Sequence, residues 1–451
     1  MATFYIWTIG CQMNKADSRA ASEELAKLGY RPVDRAQEAD LVILNTCVVR
    51  QSAEHRAIGY LNSLKPLKGH DPDARLVVMG CLVGHETLAQ LRHRFPYVDA
   101  WLKPSDLQGL LDFVYPKGHR QQDALPSQLA TPNLELACPS DRGATPVSVF
   151  VPVMHGCDHF CTYCIVRLRR GRERSRPIAE VACEVKSLVA RGAREVTLLG
   201  QNVDSYGHDL RGKPTLADLL RAVHEIEALY RIRFLTSHPG DIRPELIEAV
   251  AKLPRVCEHF ELPVQSGDDE VLRRMGRSYT VAEYTALIER IRARIPDVSL
   301  ATDVIVGFPG ETEAQFENTR RLLEELRFDV VHIAAYSERP GTPAARLHDD
   351  VLPEEKERRR RAIEALQERI AGEMNRQLVG QTIEVLVEKK RKGRWRGRTR
   401  TNKLVFFEDE ADWRGKLTQV RITWAGPWSL IREVLPRTPP NHRGTENTEN
   451  R

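Results

Sequence analysis

Six of the nine cysteines in this chain fall into two groups of three whose spacing is typical of metal ligands. The second group, Cys157, Cys161 and Cys164, lies within eight residues in the pattern C-x3-C-x2-C. Three thiolates so close together can hold one face of an iron–sulfur cluster and leave its fourth iron open to a substrate or cofactor. The alternative is a zinc ion with His155 or His159 as fourth ligand, although this spacing is not that of the usual zinc pairs.

The first cysteine group is spread along the first third of the chain, at Cys11, Cys47 and Cys81. Each member follows a short apolar run rich in β-branched residues, and these runs are Phe4–Ile9, Leu41–Asn45 and Leu76–Met79. Apolar runs that alternate with helical stretches predict βα units, whose strands end at one edge of a parallel sheet. We therefore expect the three thiols at one edge of a flavodoxin-like domain over residues 1–114, where they would hold a second cluster or a structural zinc. The remaining cysteines are interpreted as structural: Cys138, Cys183 and Cys257.

The middle of the chain predicts a partial barrel over residues 143–378. It follows a stretch at residues 115–145 that is rich in Pro, Gln, Ser and Thr and is interpreted as a linker. Six apolar strands, separated by helical stretches, are expected at Val147–Val153, Glu195–Leu199, Ile232–Thr236, Phe260–Val264, Val298–Val306 and Val330–Ala335. Parallel strands joined by helices predict a partial (β/α)6 barrel, in which the chemistry lies at the carboxyl ends of the strands. Those ends are rich in Gly, Ser, Gln and Asp, which can bind a polar cofactor.

Residues 379–436 predict a small antiparallel β-barrel, because β-forming runs alternate there with turns. The segment from Lys389 to Lys403, both included, contains nine Lys or Arg residues and no acidic residue. Basic side chains contact phosphates, and an aromatic ring among them can stack on an unpaired base. We therefore predict an RNA-binding surface formed by Lys389, Lys390, Arg391, Lys392, Arg394, Trp395, Arg396 and Arg398. The alternative is a charged hairpin that only faces solvent.

The composition is that of an α/β multidomain protein in solution. The chain has 67 Lys and Arg against 62 Asp and Glu, a net charge of +5, which does not by itself indicate a nucleic-acid partner. Hydrophobic content of 41% and charged content of 29% exclude a disordered chain. No apolar run reaches the roughly 18 residues that a membrane helix needs, and the N-terminus lacks a signal-peptide profile. We expect a cytoplasmic, monomeric protein with no membrane partner.

The motifs together resemble a known family. The C-x3-C-x2-C pattern with Tyr163 before its last cysteine resembles the radical S-adenosylmethionine superfamily, and the preceding three-cysteine domain resembles its methylthiotransferases. The stretches GCQMN, NTC, GCDHFCTYCIV, RGRERSRP and LPVQSGDDEVLRRMGRSYT, with a C-terminal module like TRAM, are similar to the branch that acts on tRNA. The resemblance covers nearly the whole chain except its tail. The sequence departs from the family pattern at Arg167 and Leu168, where a Pro and an aromatic are usual, and at Glu261, where His is usual.

The resemblance implies a transferase with one 4Fe-4S cluster on each cysteine group. It uses two S-adenosylmethionine molecules per turnover, one of which is cleaved to a 5′-deoxyadenosyl radical. That radical takes hydrogen from carbon two of an isopentenyl-adenosine beside the anticodon; the auxiliary cluster supplies sulfur and the second S-adenosylmethionine supplies methyl. The partners implied are tRNA and a flavodoxin-like or ferredoxin-like reductant. The residues implied to line the S-adenosylmethionine pocket are Tyr163, Gln201, Ser237 and Gln265.

Two other functions fit the same motifs. A sister methylthiotransferase would act on threonylcarbamoyl-adenosine in tRNA or on a ribosomal-protein aspartate, although the basic hairpin favours RNA. A protein of a different class would hold iron–sulfur clusters and bind RNA without catalysis. Five arginines after the second cysteine group would either contact RNA phosphates or form a solvated loop; they are Arg167, Arg169, Arg170, Arg172 and Arg174.

Overall fold

The computed structural model describes residues 2–49, 51–84, 88–115 and 145–434. It divides into two compact units, Met1–Ile370 and Ala371–Arg451. Most of the predicted linker, together with Cys138, lies outside the described residues. Within the described ranges, no helix is both long enough and apolar enough to cross a bilayer.

The first unit begins with a five-stranded parallel sheet. Its strands are β1 (Thr3–Thr8), β2 (Arg31–Pro32), β3 (Leu41–Thr46), β4 (Arg75–Gly80) and β5 (Ala100–Leu102), and its helices are α1 (Gln12–Lys27), α2 (Gln51–Ser63), α3 (Lys65–His70), α4 (Leu88–Arg94) and α5 (Leu107–Val114). The strand order β2-β1-β3-β4-β5 is that of a flavodoxin-like domain, as predicted. Every residue of β3 is buried, because helices cover both faces of the sheet. The sequence did not predict β2, which has only two residues, both exposed.

The rest of the first unit contains a six-stranded partial barrel, which confirms the second fold prediction. The strands of the barrel are β6 (Ser148–Pro152), β9 (Glu195–Leu199), β10 (Arg231–Leu235), β11 (His259–Glu261), β12 (Ser299–Val306) and β13 (Val330–Ala335). Two short strands, β7 (Met154–His155) and β8 (Arg174–Ser175), pair separately. The helices are α6 (Val166–Arg170), α7 (Ile178–Ala190), α8 (Leu216–His224), α9 (Pro244–Lys252), α10 (Asp269–Arg274), α11 (Val281–Arg294), α12 (Glu313–Leu326) and α13 (Pro353–Arg376), the last of which continues into the second unit.

Six of these strands run parallel around the partial barrel. They form two three-stranded sheets, β10-β9-β6 and β11-β12-β13. Backbone hydrogen bonds from Cys257 N to Ile232 O (2.9 Å) and from Ser237 N to Glu261 O (3.2 Å) join the two sheets between β10 and β11. Parallel strands of a barrel end at the same rim, so the loops that follow β6, β9, β10 and β11 lie on one side of the barrel.

The second unit contains a closed five-stranded barrel, which confirms the third fold prediction. Its strands are β14 (Thr382–Arg391), β15 (Arg394–Thr399), β16 (Leu404–Phe407), β17 (Leu417–Ala425) and β18 (Leu430–Val434), closed in the order β14-β15-β16-β18-β17. All neighbouring pairs are antiparallel except β16 and β18. One parallel pair is unavoidable, because strand direction cannot alternate throughout a closed ring with an odd number of strands.

Candidate functional site

The first cysteine group comes together at the carboxyl edge of the flavodoxin-like sheet. Cys11 precedes α1, Cys47 follows β3 and Cys81 follows β4, so three separate βα units each contribute one thiol. The Cys47 thiol lies beside both Cys11 and Cys81. Its proximity lowers the pKa of Cys81 to about 7, and the Arg170 guanidinium acts in the same direction. Three adjacent thiols, one of them prone to ionise, fit an iron–sulfur cluster that has three protein ligands.

Two buried asparagines hold this group in place. Asn14 Nδ2 donates to Asn45 Oδ1 (2.8 Å) and to the Thr46 carbonyl (2.9 Å), and Cys11 N donates to Asn14 Oδ1 (3.3 Å). Neither asparagine is exposed. The network ties the turn before α1 to the end of β3, and so brings Cys11 to Cys47. We did not predict these residues to have a role, although both occur in the quoted motifs GCQMN and NTC.

Gly80 lets the chain turn tightly between β4 and Cys81. Its φ is +102°, and a β-carbon there would overlap the backbone carbonyl of Thr46. We expect Gly80→Ala to lower the free energy of unfolding by about 3 kcal/mol, because a left-handed backbone and a steric overlap add together. Gly29→Ala is the control: its φ is +86° but nothing lies within 4 Å of the added carbon, so a loss of about 1 kcal/mol is expected. Urea titrations that show equal losses for both variants would refute the steric explanation.

Arg170 connects the barrel to the first cysteine group. It ends α6, and its side chain is 5% exposed. The guanidinium lies beside the Cys81 thiol, donates to Ser105 Oγ (3.2 Å) and lies 3.5 Å from the Asp17 carboxylate. Cys164 is only six residues earlier, which in a helix corresponds to about 9 Å of chain. The two cysteine groups are therefore neighbours within one unit.

The second cysteine group lies in the loop between β7 and α6, which we call the cysteine loop (residues 156–165). The loop is fixed by Gly156 N, which donates to Gln201 Oε1 (2.6 Å), and by Thr162 N, which donates to the Met275 carbonyl (2.9 Å). Arg277 donates to Cys161 Sγ (3.6 Å). Burial raises the pKa of Cys157 to about 12 and of Cys164 to about 11. Thiols in this half-buried loop that resist ionisation suit a positively charged iron centre, which would stabilise their thiolates.

The four residues predicted to line a cofactor pocket lie at the same barrel rim. Tyr163 packs against the apolar cluster that contains Met275 and Phe308, and burial raises its pKa well above the usual value. Gln201 follows β9 and supports the cysteine loop, as described above. Ser237 follows β10 and donates to Asp204 Oδ1 (3.1 Å). Gln265 follows β11 with a φ of +73° and is 7% exposed; its backbone pairs with β12.

The arginines after the cysteine loop are mostly engaged within the protein. Arg167 stacks on Phe160 with 3.8 Å between its guanidinium carbon and the ring centroid, and donates to the Asp158 carbonyl (2.7 Å). Arg172 makes two hydrogen bonds to the Asp158 carboxylate (3.1 and 3.2 Å). Arg167 and Arg170 are therefore held by intramolecular contacts, whereas the Arg172 side chain remains 78% exposed. A contact between RNA and this segment stays a prediction.

The basic hairpin formed by β14 and β15 corrects one predicted RNA contact. Trp395 is only 6% exposed; it packs in the barrel core and donates to the Asp409 carbonyl (3.1 Å). Side chains of a strand alternate between two faces, so Arg394 and Arg396 point outward while Trp395 points inward. The predicted stacking role for Trp395 is therefore wrong. The exposed tryptophans on this barrel, which we did not predict, are Trp424 and Trp428 (51% and 58%).

The charges of the basic hairpin are not equivalent. Three arginines have acidic partners from neighbouring segments: Arg394 pairs with Glu408, and Arg396 and Arg398 pair with Glu388. The charged groups at the turn are exposed and, within the described ranges, form no ion pair; they are Lys389, Arg391 and Lys392. The turn itself uses Lys392 and Gly393 with φ of +50° and +80°.

Comparison with known proteins matches three parts of the chain. Residues 3–103 match the "Uncharacterized protein family UPF0004", residues 151–323 the "Radical SAM superfamily" and residues 376–435 the "TRAM domain". A protein of Roseiflexus sp. (strain RS-1) is 51% identical, with 96% of this chain and 90% of that protein covered. A protein of Herpetosiphon aurantiacus is 48% identical, with 96% and 98% covered. Both are called tRNA-2-methylthio-N(6)-dimethylallyladenosine synthase. The chain belongs to this family.

The family membership confirms the resemblance stated from the sequence. The first match contains the whole first cysteine group, and the second match contains the whole second group. As a radical S-adenosylmethionine enzyme, the chain uses an iron–sulfur cluster and S-adenosylmethionine. Among solved structures, the radical S-adenosylmethionine methyltransferase TsrM from Kitasatospora setae has the same fold, with a TM-score of 0.55, 16% identity, and 76% of this chain and 75% of that chain covered.

Proposed function

We propose that this protein is a transferase that adds a methylthio group to carbon two of isopentenyl-adenosine beside the anticodon of tRNA. One observation carries the proposal: relatives of about half-identical sequence, aligned over nearly the whole of both chains, are named for that reaction. A reaction that generates a radical and also inserts sulfur requires two such groups of three thiols. Here Arg170 connects the two groups within one unit.

We propose a 4Fe-4S cluster on each cysteine group, with S-adenosylmethionine against the second. When bound, these groups supply the one-electron cleavage of S-adenosylmethionine and the sulfur atom. The protein itself binds and orients them. Asn14 and Asn45 set the first group, Gln201 and Arg277 set the second, and the buried contacts of Tyr163 exclude water from the rim. The residues proposed to contact S-adenosylmethionine are Tyr163, Gln201, Ser237 and Gln265.

The domain boundaries and partners are part of the same proposal. We assign residues 1–114 to the auxiliary-cluster domain, 143–378 to the radical domain and 379–436 to the RNA-binding barrel. The tRNA would contact the basic hairpin, and Trp424 and Trp428 offer exposed rings for stacking on unpaired bases. A flavodoxin-like or ferredoxin-like protein would supply electrons to a monomeric enzyme in the cytoplasm.

The pairing of charges in the hairpin predicts which residue contacts phosphate. Lys392→Ala should weaken tRNA binding and reduce the slope of log affinity against log salt by about 1, because an unpaired exposed cation is lost. Arg394→Ala should change the slope less, because that arginine is paired with Glu408. Filter-binding titrations at several salt concentrations measure both. Equal slopes for wild type and Lys392→Ala would contradict the assignment.

The proposed reaction is tested by nucleoside mass spectrometry. A bacterial strain that lacks its own enzyme for this modification should regain 2-methylthio-isopentenyladenosine when it expresses this chain. The Cys157→Ala variant is the matched control and should restore none. A methylthio group on threonylcarbamoyl-adenosine or on a ribosomal protein, with isopentenyladenosine unchanged, would overturn the proposal in favour of a sister enzyme.

A further inference from the structure

A cleft beside the cysteine loop is lined by His159 and Asp241, and the buried His238 stacks on His159; the proposed reaction has no use for these three side chains. Its volume is about 490 Å³, and it opens between the cysteine loop and the loops that follow β9 and β10. His159 belongs to the cysteine loop, between two of the cysteines of the second group, whereas His238 and Asp241 follow β10. Two chain segments therefore supply the three side chains, and the loop after β9 borders them with Asn202.

The candidate ligand atoms of the three side chains lie close together. His159 Nε2 lies 2.6 Å from Asp241 Oδ2, and His238 Nδ1 lies 3.8 Å from the same oxygen. The two imidazole rings are stacked, with 3.7 Å between centroids and 14° between planes. One candidate ligand atom from each residue lies within 4.8 Å of the others. Ligand atoms around a tetrahedral zinc ion are about 3.3 Å apart. Because stacked rings direct their nitrogen lone pairs along nearly parallel planes, His238 would have to rotate about its side-chain bonds before both imidazoles could point at one ion.

Asn202 gives an independent indication of a bound cation. It is 2% exposed and lines the same cleft. Its Nδ2 donates to Asp241 Oδ2 (2.6 Å), but its Oδ1 is buried and accepts no hydrogen bond within the described part of the chain. A buried carbonyl oxygen without a partner is costly, and the cost is removed if the oxygen faces a cation.

We propose that His159, His238 and Asp241, with Asn202 adjacent, bind a divalent first-row transition-metal ion such as Zn²⁺. Two imidazoles and a carboxylate are the donor set that such ions favour. The ion would replace the hydrogen bond between His159 and Asp241, and His238 Nδ1 would exchange its hydrogen bond from Gly240 N (3.2 Å) for coordination. The inference goes beyond the proposed function and does not depend on the identity of the substrate.

The metal would fasten the cysteine loop to the barrel. His159 is two residues from each flanking cysteine, so coordination would tie that loop to the ends of β9 and β10. A second set in the same cleft, Asp158, Glu173 and His208, is less suitable. The Asp158 carboxylate already accepts two hydrogen bonds from Arg172 (3.1 and 3.2 Å), which neutralise it. That set therefore offers a matched control.

The test measures zinc on the cluster-loaded protein. Wild-type enzyme is dialysed anaerobically against buffered micromolar Zn²⁺, and zinc, iron and sulfide are counted per chain. We expect one zinc with iron and sulfide unchanged. His238→Ala and Asp241→Asn should each weaken zinc binding at least about tenfold, whereas His208→Ala should retain it.

Several results would overturn the inference. One is no zinc above background in the wild type, which decides the matter even if a variant fails to fold. Others are zinc uptake matched by loss of iron, unchanged binding in His238→Ala and Asp241→Asn, or loss in His208→Ala alone. All of these measurements count metal on the protein and do not depend on tRNA modification. A failure of the zinc site can therefore be distinguished from a failure of the proposed reaction.

Discussion

Replacement of Cys81 by alanine should abolish methylthiolation and leave the cleavage of S-adenosylmethionine intact. Cys81 is a member of the first cysteine group alone, and the second group belongs to a separate loop of the barrel. Loss of one of three ligands should empty the first group, so iron should fall from about eight to about four per chain. Under dithionite, 5′-deoxyadenosine should still form, while the methylthio product falls below detection by mass spectrometry.

Two further variants make this result specific. Cys161→Ala should lose both 5′-deoxyadenosine and product, because it removes a ligand of the second group. Cys257→Ala, a buried cysteine outside both groups, should keep the iron content and both activities. If Cys81→Ala retained full iron and normal product formation, the first group would not hold the sulfur-supplying cluster.

Arg170→Met should lower methylthiolation by about 10- to 100-fold, the usual cost of losing a hydrogen-bond partner of a metal ligand. The guanidinium is buried against Cys81 and balances negative charge on the first cysteine group. Removal of this cation should shift the reduction potential of the auxiliary cluster to more negative values, because electron addition is no longer stabilised by a nearby positive charge. Potentiometric titration followed by electron paramagnetic resonance measures that shift.

A conservative variant separates charge from packing. Arg170→Lys keeps the charge but cannot contact Cys81, Ser105 and Asp17 together, so it should restore most of the potential and only part of the rate. The 5′-deoxyadenosine yield without tRNA should stay near wild type in both variants. A potential that is the same in wild type and Arg170→Met would show that Arg170 only supports the fold.

The sequence was sufficient for the fold because periodic apolar runs report burial directly. Such runs predicted the helix-covered sheet of the first domain, the six parallel strands of the partial barrel and the C-terminal barrel. Short elements escaped prediction: β2 has two exposed residues, and α5 has only eight residues, although it buries Leu110 and Val114 in the core. The parallel pairing of β16 and β18 follows from the closure of five strands, which no local pattern reveals.

The sequence predicted the site residues whose role follows from their residue type. It did not predict residues whose role follows from their contacts in the folded protein. Cysteine spacing alone indicated both groups of thiols. The residues that hold these thiols, Asn14, Asn45 and Arg170, were not apparent. Their contacts join residues that are 30 to 90 or more positions apart in the sequence. Trp395 was misjudged although the signal was present: in the run Arg394–Thr399 every second residue is inward-facing, and Trp395 is one of them.

The most direct test of two cysteine groups that each hold their own cluster is the iron and acid-labile sulfide content of the anaerobically purified, reconstituted protein. We expect about eight irons and eight sulfides per chain, with about four of each remaining after replacement of all three cysteines of either group. About four irons in the wild type, unaffected by loss of Cys11, Cys47 and Cys81, would contradict the existence of the auxiliary cluster and with it the proposed source of sulfur.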